Sequence, residues 1–180
     1  MILETIFKDK FFKLILFFTE NPSSEFTQSN IRNKLKFSKA TLIKWLNTLK
    51  NFNFISVRTI GRLKLYKFNK EDSMVKATKV FINSLTLRQY INKIRKKHPE
   101  INIYVYGSYA RGEDLETSDI DILIIGKINK EDIINDIDEI SKRLGKNINA
   151  KIFSSFEWIK MKEKDKAFYE RVEKDKIGVL

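Results

Sequence analysis

Two aspartates one residue apart, Asp119 and Asp121, open a run that continues as Ile122, Leu123, Ile124 and Ile125, with Ile120 between them. Side chains alternate along an extended strand, so both carboxylates leave one face while Ile120, Ile122 and Ile124 leave the other. Two like charges on one face of an apolar strand are costly unless water or a cation meets them. The strand therefore needs a core on its isoleucine side and an accessible carboxylate side. Two hard oxygen ligands side by side suit a divalent cation such as Mg²⁺.

The flanking pattern is mixed α/β. Leu3, Phe7, Phe11, Leu14 and Phe18 fall on one face of a helix that Asn21-Pro22 ends. Ser24 to Phe26 reads as extended, Thr27 and Ser38 as N-caps of two further helices, and Leu42, Leu46 and Leu49 as the buried face of the second. Phe54–Ile60 and Lys64–Phe68 form a hairpin about Gly61-Arg62. A helix follows from about Asp72 to Lys97, with Ala77, Phe81, Leu87, Ile91 and Ile94 on one side and Pro99 after it. Beyond it, strands at Ile101–Tyr106, Ile120–Ile125 and Ile148–Phe153 alternate with a helix marked by Ile133, Ile137, Ile140 and Leu144 and a helix opened by Ser154. Trp158 is expected in the core, and the charged stretch from Lys160 to Lys176 as a solvated helix. The expected division is a domain over 1–70, a linker helix over 71–98 and a second domain over 99–180.

Ten residues separate Ser108 from Asp119, in the frame Gly107-Ser108-Tyr109-Ala110-Arg111-Gly112-Glu113 followed by Ser118-Asp119-Ile120-Asp121. This resembles the minimal nucleotidyltransferases of the DNA polymerase β-like superfamily, whose mark is Gly-Ser, ten residues, then Asp-x-Asp. The resemblance covers roughly residues 85–175. Without a Cβ, Gly107 lets the backbone come close to a phosphate. Ser108 adds a hydroxyl and an N–H at a helix start. Arg111 either holds phosphate charge or pairs with Glu113 or another acid as a structural contact. The resemblance implies that Asp119 and Asp121 are catalytic metal ligands, that Mg²⁺ is the cofactor, and that an NMP passes from an NTP to a hydroxyl or similar acceptor. It also implies a third carboxylate on the later strand. Asn149 matches that position best and Lys151 second; an amide carries no charge and is no base. Glu113, Asp114 and Glu116 are read as a solvated acidic loop, with substitution for the missing carboxylate as the alternative.

The stretch from Ser38 to Asn69 resembles winged helix-turn-helix regulators of the arsenic-repressor type, through the Leu46/Leu49 helix core, Phe54-Ile55, and the wing from Gly61 to Asn69. That implies DNA contacts from Lys39, Thr41 and Lys44, with Trp45 either beside them or in the core, and from Arg62 and Lys64 on the wing. The alternative is a protein-contact or dimerisation module.

Charge supports the first option. Residues 1–98 hold 21 Lys/Arg and 6 Asp/Glu, whereas the rest hold 14 and 17. A basic half attracts polyanions. With no cysteine and the single His98, disulfides, thiolate zinc sites, a cysteine nucleophile and multi-histidine metal sites are excluded. The longest apolar run, Leu14–Phe18, is too short to span a bilayer, and no signal peptide is recognised, so a cytoplasmic protein is expected. Two functions follow: a Mg²⁺-dependent NMP transferase acting on a protein or nucleic-acid acceptor, or a DNA-binding regulator whose second domain binds nucleotide without turnover. Related minimal nucleotidyltransferases modify HEPN-type toxins, which implies such a partner. A homodimer is expected because winged regulators read two half-sites, with Leu3–Phe18 and Ala77–Ile94 as candidate interfaces.

Overall fold

A computed structural model describes residues 8–179. The chain divides into two compact units, Met1–Lys79 and Val80–Leu180. Leu3 and Phe7 lie outside the described residues.

In the first unit, helix α1 (Lys10–Glu20) starts where the Asp9 carboxylate accepts from the Phe11 and Phe12 N–H groups, at 2.7 and 3.1 Å. Strand β1 (Glu25–Thr27) leads into α2 (Gln28–Leu35), opened by a capping box between Thr27 and Asn30. Helix α3 (Lys39–Asn51) starts at Ser38, whose Oγ accepts from the Thr41 N–H at 3.2 Å. Strands β2 (Ile55–Ile60) and β3 (Leu63–Phe68) turn at Gly61, which has φ +58°. The sheet is antiparallel in the order β1-β3-β2. Leu14, Phe18, Ile31, Leu46, Ile55 and Phe68 are among the buried residues of its core.

Helix α4 (Ser73–Lys97) carries the chain from one unit to the next. Its buried positions include Val75 in the first core and Leu87, Ile91 and Ile94 in the second, with Lys79, Ile82 and Asn83 also buried between them. Ala77 and Phe81 do not share that face: Ala77 is exposed and Phe81 is 51% exposed. A single apolar stripe was expected along the whole helix. Instead each end of the helix is patterned for its own core.

The second unit contains β4 (Asn102–Tyr106), α5 (Gly107–Arg111), β5 (Ile120–Ile125), α6 (Lys130–Leu144), β6 (Ile148–Phe153), α7 (Ser155–Lys164), α8 (Lys166–Asp175) and β7 (Ile177–Gly178). Sheet order is β6-β5-β4-β7; β4 runs antiparallel to β5 and β7, and β5 parallel to β6 across the α6 crossover. The sheet carries a packed core on each face. Ile120, Ile122 and Ile124 pack with Leu87, Ile91 and Ile133. On the opposite face, Leu123 packs with Tyr106, Trp158 and Val172. The charged tail is thus not simply solvated: α7 and α8 bury Trp158 and Val172, which the alternating charges around them conceal. The helices cover the carboxylate side of β5 from Leu123 onward, and the end bearing Asp119 and Asp121 remains partly exposed.

Candidate active site

Asp121 on β5 stands opposite Tyr106 on β4 and opposite Asn149 on β6. The Asn149 side-chain amide donates to Asp119 Oδ2 at 3.2 Å and to Asp121 Oδ1 at 3.4 Å. One neutral NH₂ group thus bridges the two carboxylates, over distances longer than the ~2.9 Å optimum. Lys151 lies opposite Leu123, further along the strand and away from the pair. Burial pushes the Tyr106 phenol above its ordinary value, the Asp121 charge adds to this, and Arg171 opposes it.

Gly107 ends β4 with φ +71°. A Cβ built there would fall 2.6 Å from Asp121 Oδ2. Glycine is therefore required for two reasons: the left-handed backbone, and the space the carboxylate occupies. From the sequence, the expected reason is close approach of a phosphate; in the structure the Asp121 carboxylate occupies that space. Ser108 follows on α5, half-buried, and its carbonyl accepts from the Glu113 N–H at 2.9 Å.

Arg111 is engaged with carboxylates. Its Nε donates to Glu113 Oε2 at 2.8 Å, and its Nη1 pairs with Asp175 on α8. The hydrogen bond to Glu113, with a further one to Asp175, raises the guanidinium above its ordinary value. Asp114 departs from the solvated-loop expectation: it is 5% exposed, and Asn83 Nδ2 donates to its Oδ1 at 2.9 Å and to the Tyr109 carbonyl at 2.9 Å. Its partner lies 31 residues back in sequence, so no local pattern announces it. Asp175 and Lys146 were likewise missed, because their partners come from other elements. Among the described residues, no cluster of three or more His, Cys, Asp or Glu is placed to hold a metal.

Of the DNA-contact candidates, Lys39 and Lys44 are exposed on α3, and Arg62 and Lys64 are exposed on the hairpin. Thr41 is half-buried, with its hydroxyl 2.8 Å from Ser38 Oγ. Trp45 packs against Phe11 with ring centroids 4.7 Å apart, and Lys44 Nζ lies 4.6 Å from its ring centroid.

A paired carboxylate at the end of a sheet strand thus stands beside a strand-to-helix turn that needs glycine, within a mixed α/β domain. The family model described as "Nucleotidyltransferase domain" matches residues 87–177. Three proteins of Methanocaldococcus jannaschii, each named "putative protein adenylyltransferase", are similar in sequence. MJ0604 is 40% identical over 75 residues, covering 42% of this chain and 68% of that protein. MJ0126 is 50% identical and MJ1215 45% identical, each over 38 residues; these cover 21% of this chain and 39% and 44% of the two proteins. The crystal structure of a "putative nucleotidyltransferase" from Sulfolobus solfataricus aligns with TM-score 0.34 and 26% identity, covering 57% of this chain and 84% of that one. The chain belongs to the nucleotidyltransferase domain family. No helix among the described residues is long and apolar enough to cross a membrane.

Proposed function

We propose that the second unit is a Mg²⁺-dependent nucleotidyltransferase that moves an NMP from an NTP to an acceptor. The observation carrying this reading is the Asp119/Asp121 pair, bridged by the Asn149 amide and seated against Gly107. The donor set fits the ion, because Mg²⁺ is commonly bound by one or two carboxylates and completes its shell with water and phosphate oxygens. Asp119 and Asp121 would hold it, and Asn149 would release its two weak hydrogen bonds as it bound. Mg²⁺ supplies charge neutralisation at the phosphates during displacement. Ser108 supplies a hydroxyl to the phosphates at the Gly107 turn. Arg111 is engaged by Glu113 and Asp175, so its first role is to tie α5 to α8.

In the transfer itself, an acceptor hydroxyl oxygen forms a bond to the α-phosphorus and gives its proton to solvent water, the bridge to the β-phosphate breaks, and pyrophosphate leaves. The names of the M. jannaschii relatives support ATP as donor and a protein as acceptor. A HEPN-type toxin is the acceptor suggested by the resemblance to antitoxin members of the superfamily. The first unit is a winged helix that binds DNA through Lys39, Thr41, Lys44, Arg62 and Lys64; its element order and exposed basic residues support this. A cytoplasmic homodimer is the accompanying assembly.

A second reading has its own observation. The position opposite Asp121 holds an amide and not a third carboxylate, which favours a DNA-binding regulator that binds nucleotide without turnover. Calorimetric titration of the four NTPs with and without Mg²⁺ tests both, on wild type, the Asp119→Asn/Asp121→Asn double variant and Asn149→Asp. Mg²⁺-dependent binding that the double variant loses supports the site. Transfer of label from α-labelled ATP to a protein, gained or strengthened in Asn149→Asp, separates an impaired transferase from a regulator. No binding by wild type overturns both nucleotide readings.

A further inference from the structure

The segment that follows α6 approaches Asp119 from three directions. Lys146 Nζ donates to the Leu115, Glu116 and Ser118 carbonyls at 3.2, 3.1 and 3.4 Å. The Asn147 carbonyl accepts from the Ile120 N–H at 2.9 Å, and the Asn149 amide reaches the Asp119 carboxylate itself. The Ser118 carbonyl belongs to the peptide unit that carries the Asp119 nitrogen. The backbone on both sides of Asp119 is therefore held from one short stretch, residues 146–149.

An ammonium group has three protons and no acceptor, and here three carbonyls converge on it. The Tyr109 ring centroid lies 5.9 Å from the same nitrogen. The lysine backbone is itself anchored: its N–H donates to the Ser141 carbonyl at 3.3 Å, and its carbonyl accepts from Ser141 Oγ at 2.7 Å. The loop is further closed by the Leu115 N–H on Ser118 Oγ and the Ser118 N–H on the Leu115 carbonyl, at 2.9 and 3.1 Å. Half-buried charge-assisted hydrogen bonds of this kind rigidify the groups they join.

We propose that Lys146 is a positioning residue for the metal–nucleotide site: its ammonium gathers the carbonyls of the 115–118 loop and so fixes the peptide that sets Asp119 beside Asp121. The proposal rests on the transferase reading for the ligand that the pair receives. Lys146 acts through the backbone carbonyls of the 115–118 loop. A guanidinium keeps a permanent charge and several N–H donors, so at this position it can still serve the carbonyls of the loop.

The test uses the full chain with Mn²⁺ as the probe, read by electron paramagnetic resonance, alongside amide hydrogen exchange and urea unfolding. Lys146→Met keeps the apolar stem and removes every donor. It is expected to speed exchange at residues 115–119 and to weaken Mn²⁺ at least about tenfold, while the unfolding midpoint stays near wild type. Lys146→Arg is expected to recover most of the Mn²⁺ affinity. Unchanged Mn²⁺ affinity in Lys146→Met, or Lys146→Arg as weak as Lys146→Met, overturns the role of Lys146. Absence of Mn²⁺ binding by wild type overturns the transferase reading beneath it, a different result from wild-type binding that Lys146→Met leaves intact.

Discussion

Gly107 separates backbone strain from site geometry. Alanine at a left-handed position costs roughly 1–2 kcal/mol wherever it occurs. At Gly107 the new methyl group also displaces the Asp121 carboxylate, whereas at Gly61, with φ +58°, it meets nothing within 4 Å. Gly107→Ala and Gly61→Ala are thus expected to lose similar stability in urea unfolding. Only Gly107→Ala is expected to lose Mg²⁺-dependent nucleotide binding, by about tenfold or more, which corresponds to about 1.4 kcal/mol. Equal binding by the two variants would show that Asp121 does not need its present place. The need for glycine was legible in the Gly-Ser motif. The neighbour that makes it necessary was not, because Asp121 comes 14 residues later and meets Gly107 only when β5 pairs with β4.

At the scale of elements, α4 begins at a cap whose charge can be titrated. Hydrogen bonds from the Val75 N–H, the Asn53 side chain and the Met74 N–H hold the Asp72 carboxyl below its ordinary value. A lowered value means that the folded chain binds this proton less readily than the unfolded chain. Its stabilisation is therefore complete above the unfolded value of about 4 and fades as pH falls through the lower folded value. Asp72→Asn keeps a capping oxygen and removes the titration. The variant is expected to show a smaller drop in urea midpoint than wild type between pH 7 and pH 3; identical drops would contradict the assignment.

The C-terminal helices make a second case. Trp158 is buried against Leu123, Phe153 and Phe168, and its Nε1–H donates to Glu173 at 2.9 Å. Trp158→Ala is expected to cost about 3–5 kcal/mol in urea unfolding, the range for a large core aromatic. A cost below about 1 kcal/mol would mean that α7 and α8 are peripheral to the sheet. Trp158 was legible as a core residue, but the helices around it read as a solvated tail. Their outer charges outnumber the few apolar positions, Val172 and Phe168 among them, that face the sheet.

At the scale of the whole molecule, charge and chemistry are divided along the chain. The carboxylate pair belongs to the mildly acidic half, and the exposed Lys39, Lys44, Arg62 and Lys64 belong to the basic half. If the proposed winged helix binds DNA, log affinity should fall linearly with log salt, and each phosphate contact removed should reduce the slope by about 0.9. Lys44→Ala and Arg62→Ala are each expected to weaken a gel shift and flatten its salt dependence, while leaving Mg²⁺-dependent nucleotide binding unchanged. No shift by wild type at low salt would remove DNA from the account. Leu46→Ala in the core beneath Lys44 tests folding separately, with an expected loss of about 2–5 kcal/mol.

What the sequence determined by itself was local or carried by spacing: the alternation that places Asp119 and Asp121 on one face, the caps at Thr27, Ser38 and Ser154, the hairpin turn at Gly61, and a Gly-Ser to Asp-x-Asp interval specific enough to indicate the family. Each depends on the period of a helix or strand, or on backbone demands within a few residues. What only the tertiary structure decided was which groups meet. Asn149 lies between the carboxylates because β6 runs parallel beside β5. Asp114 is buried because Asn83 on α4 reaches it. Arg111 is joined to Asp175, and Lys146 gathers a loop 28 to 31 residues earlier in the chain. These contacts arise from pairing and packing between distant segments, whose register is selected by burial of the whole sheet and leaves no periodic mark on either partner.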